Sequence, residues 1–89
     1  MTIHVVIPSN PPMNMVLRSL RYDTPIHKAI KGFGTVVGGG HASKSNYVDI
    51  LVKDKKFDEC VKRVEKRLRK SDCPAGTRIV SGVWSLAVK

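Results

Sequence analysis

The chain has 89 residues, 42% hydrophobic and 26% charged, the usage of an ordinary folded domain, which excludes a disordered tail, a collagen or a disulfide-knotted scaffold. Sixteen Lys and Arg against seven Asp and Glu give a net charge of +9, which attracts polyanions without choosing among nucleic acid, an anionic membrane and an acidic protein. One domain over residues 1–89 is expected, with a stability margin thin enough that association would help it.

Thr2 to Ile7 is rich in β-branched residues and is stopped by Pro8, Pro11 and Pro12, which predicts a strand followed by a stiff turn. Asn10 before Pro11 has the form of a helix start, and from Met13 the apolar residues Val16, Leu17 and Leu20 keep helical spacing until Pro25 intervenes. Asp23 and Thr24 signal a restart there, and Ile26, Ala29 and Ile30 give a short apolar face that ends at Gly32. The expectation is one broken helical region between about residues 11 and 31.

Phe33 to Val37 and Tyr47 to Lys53 are strand-like runs separated by Gly38 to Asn46, a glycine and serine loop, and so predict a hairpin. In the second run Val48, Ile50 and Val52 point one way and Tyr47, Asp49 and Leu51 the other. One face is therefore core, and the other is open or an interface.

Asp54 is placed to cap a helix whose residues Phe57, Cys60, Val61, Val64 and Leu68 fall within a stripe of roughly 100°. Lys62, Arg63, Lys66, Arg67, Arg69 and Lys70 occupy the remaining arc, relieved only by Asp58, Glu59 and Glu65. Ser71, Asp72, Pro74 and Gly76 end the helix. Thr77 to Val80 and Val83 to Val88 are strand material, joined at Ser81 and Gly82 by either a bulge or a tight turn.

The order β, α, β, β, α, β, with room for an extra terminal strand, predicts the α+β class: a ferredoxin-like split βαβ sandwich, an antiparallel sheet with two helices on one face. That architecture hosts many unrelated functions. The runs Phe-Gly-Thr-Val-Val-Gly-Gly-Gly-His at 33–41, Tyr-Val-Asp-Ile-Leu-Val at 47–52 and Cys-Pro-Ala-Gly-Thr-Arg-Ile at 73–79 resemble small uncharacterised bacterial proteins of accessory gene pools, of the gene-cassette and immunity types. The resemblance implies no site residues.

Three surfaces are candidates for function. The open sheet face, expected to carry Tyr47, Leu51 and Trp84, predicts a non-enzymatic interaction module that forms a homodimer or binds a partner protein. The basic arc of the second helix predicts, alternatively, nonspecific contact with a nucleic-acid backbone. Gly38, Gly39, Gly40 and His41, helped by Ser43 and Lys44, have the composition of either a plain turn or a nest of backbone amides for an anion, without the lysine of a P-loop.

A catalytic constellation is not expected. Cys60 lies on the apolar stripe, Cys73 is expected to be partly exposed beside Arg69 and Lys70, and His4 and His27 have no evident partner. No metal or cofactor site is expected, and the strand at Tyr47 lacks the aromatic pattern of an RNA-recognition motif. Membrane contact is not expected, because the apolar helical stripe is needed for the core. Two cysteines 13 apart, without metal or redox spacing, and the lack of a signal peptide or an apolar run near 18 residues predict a reduced, cytoplasmic protein.

Overall fold

In a computed structural model that describes residues 1–89, five strands form one antiparallel sheet in the order β2-β3-β1-β4-β5. The strands are β1 (Thr2–Pro8), β2 (Gly34–Ala42), β3 (Ser45–Val52), β4 (Arg78–Ser81) and β5 (Trp84–Ala87). Strand alternation sets the two faces. Ile3, Val5 and Ile7 of β1 stand opposite Ile50, Val48 and Asn46 of β3, and all six are buried. The same side of β4 contributes Ile79, and the helical segments cover this face with Tyr22, Ile26, Ile30, Cys60, Val61, Val64 and Leu68 in one continuous core. The opposite face carries no helix.

Helix α3 (Phe57–Lys70) follows its sequence pattern: Cys60, Val61, Val64 and Leu68 are buried and Phe57 packs half-buried against them. Asp58 and Glu59 in its first turn and Arg67, Arg69 and Lys70 in its last complement the helix dipole. Asp54 lies in a short 3-10 turn (Asp54–Lys56) and makes no capping bond; its carboxylate is 3.3 Å from the Met1 amino group instead.

The first helical region departs from expectation. Its cap is Asn14, whose side chain accepts a hydrogen bond from the Leu17 N–H at 2.9 Å; Asn10 precedes a cis peptide to Pro11 and caps nothing. From there α1 (Met15–Arg18), a π-type turn (Ser19–Asp23) and α2 (Thr24–Ala29) run on without a break at Pro25. The wide turn is the reason. Pro25 has no N–H to give the Arg21 carbonyl and its ring would crowd that carbonyl in a regular helix, whereas the five-residue bond from Thr24 N–H to Ser19 C=O opens the spiral there. Arg18, Tyr22, Ile26 and Ile30 are consequently the buried positions, four apart. Val16, Leu17 and Leu20 do not join the core.

The glycine run is not a loop. Gly38, Gly39 and Gly40 lie inside β2 and pair with Asp49, Val48 and Tyr47, after a bulge at Val37 that shifts the register. The turn of the hairpin is Ser43 and Lys44 alone. Gly82 and Val83 form a two-residue turn between β4 and β5, with Gly82 at φ +58°, so the alternative left open at Ser81 and Gly82 resolves as a hairpin.

Candidate functional site

Five of the six cations expected on α3 converge. Lys62, Arg63, Lys66, Arg67 and Lys70, with Glu59 of the same helix and Ala29 of α2, line an open groove of about 380 Å³ between the two helices. The geometry follows from helical spacing: pairs at 62/63 and 66/67 and a single residue at 70 fall on successive turns, about 5.4 Å apart along the axis. Arg69 lies outside the groove and pairs with Glu65 at 3.0 Å.

The cations are held differently. Arg63 is fixed: its Nε is 3.4 Å from Glu59, its guanidinium carbon sits 4.1 Å from the centre of the Phe33 ring, and it donates to the Ala29 carbonyl at 3.5 Å. Arg67 has a fully buried Nε with no acceptor, an unmet donor in the groove wall. Lys62, Lys66 and Lys70 have no carboxylate within 4 Å. One carboxylate therefore faces five cations, a concentration of positive potential that suits closely spaced anions.

The glycine run takes part in a different arrangement. Arg18, its side chain 9% exposed, reaches Asp23 through Nε at 3.2 Å and Nη2 at 3.3 Å, and donates from Nη1 to the Gly40 carbonyl at 3.4 Å. Its guanidinium lies on Gly39, where a Cβ would fall 2.7 Å from the Arg18 Cζ and against the Tyr47 carbonyl. Gly39 is thus the floor under a buried ion pair. Gly38, Gly40 and His41 lie in the paired strand rather than in a nest.

The open sheet face separates the residues expected to act together on it. Tyr47 and Leu51 stand on this face, in rows with Val6 and Arg78 and with Thr2 and Thr35 respectively. Trp84 is on the other side, because it shares a face of β5 with Leu86, the partner of core Ile79; its ring meets Phe57 edge-on with centroids 5.5 Å apart. In the middle of the open face, His4 has the partner that the sequence did not disclose: its Nδ1 is 2.6 Å from Asp49 Oδ1, directly across the β1–β3 ladder. Only the strand register brings these two together. His27 is exposed, and its Nδ1 accepts from the Val36 N–H at 3.4 Å.

Both cysteines are free and fully buried. This corrects the expectation of partial exposure for Cys73, which the chain turns inward as it leaves α3. Burial pushes the Cys60 thiol pKa up, against the smaller opposing effect of Arg63. Burial likewise raises that of the Tyr22 phenol, with Arg21 acting the other way. Neither group has the electropositive, open surroundings of a reactive nucleophile.

No family model, curated protein or solved structure matches the chain.

Proposed function

We propose that the chain is a non-enzymatic binding module whose interhelical groove holds the phosphates of a polyanion. The observation that carries this reading is the convergence of Lys62, Arg63, Lys66, Arg67 and Lys70 on one groove with Glu59 as the sole carboxylate. A polyanion that neutralises these groups releases condensed counterions, so binding weakens with salt in proportion to the number of contacts. With a labelled DNA duplex as probe, five contacts give a slope of log affinity against log salt of about −4.5. Reversing Lys66 and Arg67 to Glu takes the net charge from +9 to +5, each reversal changing it by two, and leaves the apolar stripe of α3 intact. The variant is expected to lose most of the affinity and to shorten the slope by about 2. An affinity that does not vary with salt, or a variant equal to its parent, would refute the reading.

Self-association through the open sheet face is a second reading, favoured by the uncovered Val6, Tyr47, Leu51 and Val80 around the polar His4–Asp49 pair. Light scattering that shows only monomers at high micromolar concentration removes it. The sheet order without β5 supports reading the fold as ferredoxin-like with an added edge strand, and two buried free thiols support a reducing, cytoplasmic setting.

A further inference from the structure

The outer side of the first helical region is apolar. Met15 is 71% exposed, Val16 65%, Leu17 47% and Leu20 67%, a cluster of large aliphatic side chains on one short stretch. Isolated exposed aliphatics are ordinary, but a contiguous group requires a cause. Val16 and Leu20 lie two residues either side of Arg18, which faces inward onto Gly39. At about 100° per residue they point away from the sheet.

Lys62 and Lys66 point the same way, being opposite the buried Val61, Val64 and Leu68 on α3, which packs against the same core. The two halves are also continuous. A second depression, whose wall includes Leu20, Lys28, Ala29 and Arg67, shares those last two residues with the basic groove. The outer surface of the helix layer thus combines protruding aliphatic side chains with a field of cations.

Charge decides what covers it. A second copy placed on the aliphatic cluster gathers the Lys28 and Arg67 of both copies, which lie beside Leu20, into one interface, where like charges oppose the contact. A nucleic acid uses the cations but leaves the aliphatic side chains in water, and there are no aromatic rings among them to stack on bases. Val16 protrudes, and Leu20, though it edges the shallow depression, is still 67% exposed, which suits a soft apolar medium beneath an anionic headgroup layer. No helix of this chain is long and apolar enough to cross a membrane, so the contact is one of surface.

We infer that the outer face of the helix layer docks on an anionic lipid surface, Val16 and Leu20 entering the headgroup boundary while the groove cations hold lipid phosphates. The reason for expecting no membrane contact applies to the stripe of α3, which the core takes up, and not to the first helical region, whose aliphatic face is left free. The inference rests on the phosphate-binding reading of the groove and names the polyanion.

The test is co-sedimentation of the intact chain with vesicles of phosphatidylcholine alone and with about 30% phosphatidylglycerol, beside the labelled duplex. Of the two kinds of vesicle only the anionic one is expected to bind, and the duplex is expected to bind as well. Val16→Ser with Leu20→Ser, both at exposed positions, is expected to fold normally, to lose vesicle binding by about tenfold or more, and to keep duplex binding within about twofold. Lys66→Glu with Arg67→Glu is expected to lose both. If the parent binds the duplex but not the anionic vesicles, the lipid inference fails and the groove reading stands; if it binds neither, both fail. Vesicle binding untouched by the Val16 and Leu20 changes overturns the role of the aliphatic face. A dimer that those two changes disperse assigns the face to a second copy, and this too overturns the inference.

Discussion

Removing the carboxylate of Asp23 tests the account of why the first helical region turns Arg18 inward. The Arg18 and Asp23 side chains are 9% and 14% exposed, so solvent screens their interaction little, and the guanidinium has only the Gly40 carbonyl at 3.4 Å as another acceptor. Asp23→Ala leaves a largely buried cation without its counter-charge, a change that costs about 3–5 kcal/mol in comparable buried pairs. An 89-residue chain at about 0.05–0.15 kcal/mol per residue has a total stability of roughly 4–13 kcal/mol, so the loss is a large fraction of it. At about 4–8 °C per kcal/mol, a loss near 3 kcal/mol lowers Tm by roughly 12–24 °C. Urea and thermal denaturation followed by circular dichroism give both numbers. Replacing the pair together, Arg18→Met with Asp23→Leu, is expected to recover most of the loss, because apolar groups of similar volume remove the unpaired charge. A loss under about 1 kcal/mol for Asp23→Ala would refute the reasoning and place Arg18 in contact with water.

The same ion pair sets apart the three neighbouring glycines. Gly39→Ala drives a Cβ into the Arg18 guanidinium and the Tyr47 carbonyl and is expected to cost about 1–3 kcal/mol in urea denaturation, whereas Gly38→Ala and Gly40→Ala, where a Cβ meets open space, are expected to change stability by no more than about 1 kcal/mol; equal losses at all three would show that Gly39 is not the floor of the pair. Cys60 and Tyr22 both have raised pKa values in the folded chain, so the unfolded chain releases their protons first as pH rises, and the stability they contribute is present below the unfolded values and lost above them. The urea midpoint is expected to hold between pH 7 and 8 and to fall from about pH 8.5 upward, first through the thiol and then through the phenol; a midpoint level to pH 10.5 would contradict their burial.

The parts of the fold that the sequence disclosed are those where one period runs undisturbed. In α3 the 3.6-residue stripe carries Cys60, Val61, Val64 and Leu68 to the core, and the same period sends five cations to the groove. In β1 and β3 strict alternation separates the two faces. The first helical region misled because the π-type turn alters the period midway. Arg18 and Asp23 are five apart, about 140° apart on a regular helix, and only the wider turn brings them onto one side. With that pair inside, the aliphatic residues that a regular amphipathic helix would bury are left outside. The glycines were legible as backbone freedom but not as a strand, since glycine has little strand preference and its tolerance here depends on a side chain from a distant element. The side taken by Trp84 was hidden in the length of a turn: with Gly82 and Val83 alone in it, Trp84 pairs with Ser81 and shares the helix face.

The bulge at Val37 and the glycines after it lie on an outermost strand, where unpaired amides and carbonyls are a template for other chains. Thr35, Val36 and Val37 have the β-prone character of segments that seed fibrils. The bulge breaks their regular row before it can be copied, and the glycines beyond it give an incoming strand no side-chain ladder to grip. The other margin, β5, is only four residues long. The sheet is thereby protected at both margins against endless strand-by-strand growth, and on β2 the protection comes from residues of low strand propensity placed where the chain most needs to be a poor mould.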